Sequence, residues 1–261
     1  MFKNLIVFSL IVLASCNFNE LENEFGSYHN SNLNVEDKKI SICHYDEKNN
    51  TWHTIEISIN AWPAHQAHGD LKGSCDIAFE AQICEQVWMV RNLDVSYYRN
   101  GDPIPQVQSM DELNNATSGA WCYYAFNEEY GKKYGKLYNW HAVNDIRGLS
   151  PEGWRIPSYD DWEILSECLG GWEIAGGKMK EEGTVNWASP IEGATIESGF
   201  TALPGGAGLP FWALGEDGYF WSSTELNDDA AFYRTLFHTS GVLDLSSDPK
   251  NAFYSVRCLK E

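Results

Sequence analysis

The chain has 261 residues, and its 37 acidic against 18 basic side chains leave a formal charge of −19 at pH 7. A surface of that sign repels nucleic acid and anionic lipid headgroups, which excludes both as electrostatic partners. Hydrophobic residues make up 43% of the chain and aromatics 14%, so disorder is excluded as well, and one substantial domain with a small attachment is expected.

Met1 to Ser15 holds one basic residue, Lys3, ahead of an apolar run from Leu5 to Leu13. That run is far shorter than the ~20 residues a membrane-spanning helix needs. It reads as the core of a signal peptide over 1–15. The Leu13-Ala14-Ser15-Cys16 stretch resembles the bacterial lipobox, which implies a diacylated Cys16 as the mature N-terminus and attachment to a membrane through that lipid alone. Six cysteines remain, Cys43, Cys75, Cys84, Cys122, Cys168 and Cys258, an even set in an oxidising compartment that reads as three disulfides. From Asn17 to about Lys39 the chain is rich in Asn and Glu without a sustained period, giving a solvated tether over 16–39. Its early acidic residues resemble the surface-export signals of Bacteroidetes lipoproteins. The resemblance implies an outer-membrane lipoprotein at the cell surface, with the periplasmic face as the alternative.

Residues 40–76 form a small Cys/His-rich module bracketed by Cys43 and Cys75, which are read as one disulfide, with thiolate ligation of a metal as the alternative. Trp52, Thr54, Glu56 and Ser58 alternate with His53, Ile55, Ile57 and Ile59, predicting a strand with the isoleucines buried. Asn60 is a candidate cap for a short helix with Pro63 in its first turn and Gly69 at its end. On that helix His65 and His68 share a face. With His44, His53 and Asp70 they are candidate ligands for a transition metal such as zinc.

From Phe79 onward the texture is aromatic-rich and punctuated by glycine. Val87 to Met89 predicts a strand, Tyr134 to Asp145 a helix or extended packing segment, and Ser158 with Asp161 a capping box opening a helix. Trp162, Leu165 and Leu169 share one face of that helix, which Gly170-Gly171 stops. The runs from Tyr219, Ala231 and Phe253 read as short strands between turns. The fold class is α+β, one or two helices against twisted antiparallel strands.

Q-V-W-M-V-R-N-L from Gln86, Y-G-K-L-Y-N-W from Tyr134, G-W-R-I-P-S-Y-D-D-W from Gly153, G-F-T-A-L-P-G-G from Gly199, Y-F-W-S-S-T-E from Tyr219 and Y-S-V-R-C from Tyr254 occur in that order. Together they resemble the Fibrobacter succinogenes major paralogous domain, over 79–261. Through kinship with formylglycine-generating enzymes, the resemblance implies a C-type-lectin-like fold. It also implies a disulfide from Cys168 to Cys258, which leaves Cys84 to pair with Cys122. Other connectivities stay open.

Glu225, Asn227, Asp228 and Asp229 fall where lectin-like folds place calcium ligands, and clustered hard oxygens suit that ion. A solvated acidic turn is the plainer reading. No metal or cofactor is required. Among the tryptophans, Trp172, Trp187 and Trp212 stand in glycine-rich segments and are candidates for stacking on a sugar at the surface, in loops between Gly176 and Glu225. No nucleophile elbow, phosphate loop, dinucleotide fingerprint or H-E-x-x-H occurs, and Cys258 has no second cysteine beside it for formylglycine chemistry. The expectation is a lipid-anchored envelope protein that binds an extracellular glycan or protein without catalysis. A formylglycine-generating-like enzyme and a structural or adhesion protein are the alternatives.

Overall fold

The computed structural model describes residues 38–46, 51–73, 75, 79–195 and 197–261. The expected signal over 1–15, the expected lipidation site Cys16, and all but the last two positions of the expected tether lie outside the described residues.

The small module is a three-stranded antiparallel sheet. Strand β1 (Lys39–Asp46) lies between β2 (Thr51–Ser58) and the short β3 (Leu71–Lys72). Ser58 accepts a hydrogen bond from the Asn60 amide and starts a 3₁₀ turn over Ile59–Ala61, which runs on into helix α1 (Trp62–Ala67). Asn60 therefore does not cap the helix: Ser58 caps the 3₁₀ turn and α1 starts without a side-chain cap, while Pro63 takes its place in the first turn and Gly69 follows the helix end at φ +86°. The isoleucines are not buried as expected: Ile55 and Ile57 of β2 are half-buried, and Ile59, already in the 3₁₀ turn, is exposed. Among the described residues, short strands and a six-residue helix have little interior to offer, and it goes to Ile42 and Cys43 of the central strand. Cys43 is bonded to Cys75 as expected, pinning β1 to the end of the module.

The large domain begins with a hairpin, β4 (Glu80–Ile83) and β5 (Gln86–Met89), extended by β13 (Leu259–Lys260) and β8 (Trp154–Arg155) into a four-stranded sheet. A second sheet joins β12 (Phe253–Tyr254), β7 (Leu137–Asn139) and β6 (Trp121–Cys122). A third is the antiparallel meander of β9 (Asp217–Glu225), β10 (Ala230–Phe237) and β11 (Leu243–Pro249). The mixture of strands and helices bears out the α+β class. Residues from all three sheets meet in aromatic-rich cores, one around Tyr138, Trp140, Trp221 and Tyr254 and another around Trp88, Trp162, Phe200 and Phe220.

Between them lie five helices: α2 (Met110–Asn114), α3 (Glu128–Tyr134), α4 (Trp140–Val143), α5 (Tyr159–Cys168) and α6 (Trp172–Met179). The capping box of α5 forms as expected: Asp161 N–H donates to Ser158 Oγ at 3.2 Å, and Ser158 N–H to Asp161 Oδ2 at 2.7 Å. Trp162 and Leu165 are fully buried beneath it. Helix α6 overturns the expectation that the loops begin at Gly176, since the helix runs on to Met179. Gly176 and Gly177 are helical and buried because other backbone passes against them. A Cβ on Gly176 would overlap the Val242 carbonyl, and one on Gly177 would lie 2.5 Å from that of Gly193.

The cysteine wiring of this domain also differs from expectation. Cys168, at the end of α5, is joined to Cys84 in the turn of the β4–β5 hairpin, with Cα atoms 6.5 Å apart. Cys258 is a buried thiol, and so is Cys122. Cys258 packs in the core that holds Val256 and Ile156, whereas Cys168 lies against the core that holds Trp162 and Leu169, so the two face different interiors.

Candidate functional sites

Strand β6 ends at Cys122, and the chain turns through Tyr124–Phe126 before Asn127 caps α3, accepting from Glu129 N–H at 2.9 Å. Ala125 and Phe126 both take positive φ, 51° and 56°. Backbone held in that region costs of order 1 kcal/mol or more per residue and gathers at ligand sites. The turn walls a groove of about 470 Å³ lined by Gln106, Gln108, Trp121, Tyr123, Phe126 and Glu128. Trp121 forms its floor, almost wholly buried and anchored by its indole N–H on the Ile104 carbonyl at 3.0 Å. Tyr123 and Phe126 are half-exposed walls, and the Gln106, Gln108 and Glu128 side chains stand at the solvent edge.

Lys136 lies under these rings, with Nζ 4.6 Å from the Trp121 centroid and 5.2 Å from that of Tyr123, and it is ion-paired to Asp94. Burial pushes the Asp94 carboxyl up, and the neighbouring Lys136 ammonium draws it back. Burial also raises the Tyr123 phenol to about 12, so it stays a neutral donor. A second loop braces the groove from outside. Phe211 packs on Phe126 and Tyr124, with centroids 4.9 and 5.1 Å apart, and Trp212 leans over Tyr219 at 5.4 Å while remaining 52% exposed. None of the lining residues was singled out in the sequence. The alternation of Gln106, Val107 and Gln108 is too short to mark a site, and only the bridge from Gln106 to Trp121 brings the amides to the rings.

In the small module the structure brings His44, His65 and Asp70 together. Asp70 is 4% exposed, and its Oδ2 lies 2.9 Å from His44 Nδ1 and 2.7 Å from His65 Nδ1, while Oδ1 accepts the Tyr45 N–H at 3.1 Å. Burial alone would raise this carboxyl. The hydrogen bonds from both imidazoles and the Tyr45 amide outweigh it and hold Asp70 below the usual carboxylate range. His53, opposite His44 across β1 and β2, presents its ring edge-on 5.4 Å away. His68 stands apart at the end of α1, exposed, so the shared helix face does not join it to His65 in one site. From the large domain Arg91 donates to the Gly69 carbonyl at 2.9 Å, and its charge bears on Asp70.

The other candidates are placed as follows. Trp187 is not a surface residue: it is 2% exposed, and its indole N–H donates to the Ala202 carbonyl at 3.0 Å, a core role that removes it as a stacking contact. Trp172 is exposed at the start of α6. Glu225, Asn227, Asp228 and Asp229 form the turn between β9 and β10. Asn227 Oδ1 accepts the amides of Asp229 and Ala230 at 2.9 and 3.0 Å, and Lys250 Nζ donates to Glu225 Oε2 at 2.8 Å and the Asp228 carbonyl at 2.9 Å. The Lys250 ammonium thus places a positive charge against the Glu225 carboxylate and the Asp228 carbonyl of this turn.

These observations define a small disulfide-stapled module followed by an α+β domain that walls an aromatic groove. The chain belongs to the Fibrobacter succinogenes major domain family, whose model matches residues 81–260. No curated protein and no solved structure matches it.

Proposed function

We propose that the protein is a lipid-anchored envelope protein whose α+β domain, lectin-like in fold, holds an extracellular carbohydrate in the aromatic groove without transforming it. The observation that carries this is the pairing of two half-exposed rings, Tyr123 and Phe126, with the amides of Gln106 and Gln108 and the carboxylate of Glu128 around one groove. Aromatic faces take the C–H side of a pyranose, and planar amides and carboxylates take its hydroxyls, the mixture expected of a pocket that orients a polar ligand. Against catalysis stands the state of Cys258. It is wholly buried, and burial pushes its thiol up to about 12, so it supplies no thiolate at neutral pH. The anchor rests on the signal and Cys16, and among the described residues no helix is long and apolar enough to cross a membrane.

A glycan array probed with the full chain in detergent tests the proposal. Tyr123→Ala and Phe126→Ala should each weaken the retained signal about fivefold, since a stacking contact is worth roughly 1 kcal/mol, in variants that keep the wild-type circular dichroism spectrum. Cys16→Ala should shift the protein from the detergent to the aqueous phase. An array on which no glycan is retained, or variants that bind like the wild type, would overturn the carbohydrate reading. A protein ligand on the same face is the second reading, favoured by the exposure of Trp212 beside the groove.

A further inference from the structure

We propose that His44, His65 and Asp70, none of which lines the carbohydrate groove, bind a divalent transition metal of the zinc class on the small module. Three elements bring these residues to one point. His44 follows Cys43 on the strand that the Cys43–Cys75 disulfide pins, His65 projects from α1, and Asp70 sits between the Gly69 turn and β3. Both imidazole Nδ1 atoms converge on the same carboxylate oxygen, at 2.9 and 2.7 Å, and one donor atom from each residue lies within 4.8 Å of the others. With bonds of about 2.0–2.1 Å, tetrahedral zinc needs its ligand atoms about 3.3 Å apart, a value those separations bracket.

Accessibility follows the same pattern. The Asp70 side chain is 1% exposed at the base, while those of His44 and His65 are 29% and 24% exposed at the mouth. A metal can thus enter from solvent and keep a position open to water or an external ligand. His53, edge-on to His44 with ring centroids 5.4 Å apart, stands outside the cluster of converging donor atoms. The donor set selects the metal class. Two imidazoles with one carboxylate suit zinc, cobalt, nickel or copper and are poor in the hard oxygens that calcium and magnesium need. The disulfide removes Cys43 and Cys75 as ligands, so the module is not a thiolate zinc finger.

The test uses the full chain in detergent, stripped with a chelator and titrated with Zn²⁺ by calorimetry and with Co²⁺ by visible absorption. One equivalent should bind, with cobalt giving ligand-field bands. His65→Ala and Asp70→Asn should weaken binding at least tenfold, and His68→Ala should leave it unchanged. Because Asp70 also holds the Tyr45 amide, a variant there can loosen the module, so the wild type provides a second readout. Its His44 and His65 ring proton resonances should shift on adding Zn²⁺ while those of His68 stay in place. Absence of heat and of cobalt bands at millimolar metal, binding in His65→Ala equal to the wild type, or shifts confined to His68 would overturn the proposal.

Discussion

Arg147 holds Asp145 through three contacts: its backbone N–H and Nε on Oδ1 at 3.0 and 2.9 Å, and Nη2 on Oδ2 at 2.8 Å. The guanidinium in turn lies 4.0 Å from the centroid of Tyr98. Hydrogen bonding from Arg147 outweighs burial and lowers the Asp145 carboxyl from 3.8 to about 2. A carboxyl depressed on folding adds stability that is complete above its unfolded value and is lost as pH falls through the folded one. In urea denaturation the wild type should exceed Asp145→Asn in stability at pH 5, and the gap should close on approaching pH 2. A gap independent of pH would show that the charge of this pair contributes nothing, the usual outcome for solvent-screened pairs. Single residues of this kind were opaque in the sequence. Trp187 and Trp212 stand in similar glycine-rich surroundings, yet one bonds a carbonyl in the core and the other faces water, because partners distant in sequence decide which is covered.

Helices α5 and α6 stand on opposite sides of what local pattern reveals. The Ser158–Asp161 box, the spacing of Trp162, Leu165 and Leu169 and the paired glycines after them are all local, so α5 was legible from end to end. Helix α6 was hidden because its glycine pair reads as a loop until the Val242 and Gly193 carbonyls are seen against it. Gly176→Ala therefore forces a Cβ into fixed backbone and should cost about 1–3 kcal/mol, read as a fall of several degrees in melting temperature. An alanine variant as stable as the wild type would mean that α6 can move off β11 without loss.

Across the whole molecule, the module's disulfide was legible because both cysteines bracket one short unit, whereas the domain's was not. Family likeness sent Cys168 to Cys258, and only the placement of the hairpin turn over the end of α5 shows Cys84 as its partner. Peptide mapping without reductant should recover Cys43 with Cys75 and Cys84 with Cys168, and alkylation should reach Cys122 and Cys258 only after denaturation. Recovery of a Cys168–Cys258 peptide would refute this wiring. The histidine cluster spans 26 positions from His44 to Asp70 and was visible as a local motif. The groove draws on Gln106 to Glu128, braced by Phe211, and had no local signature.

The four-stranded sheet has one further consequence. Its inner strand holds Leu259, paired on one side with Trp88 and on the other with Arg155, and Lys260 reaches Glu80 across 180 positions of sequence. Within this sheet the β4–β5 hairpin and β8 are joined through those late residues. A cut in an exposed connection between them would therefore leave two complementary pieces of one fold, tied by the Cys84–Cys168 disulfide and, once that is reduced, each carrying an open sheet edge and not a domain able to stand alone.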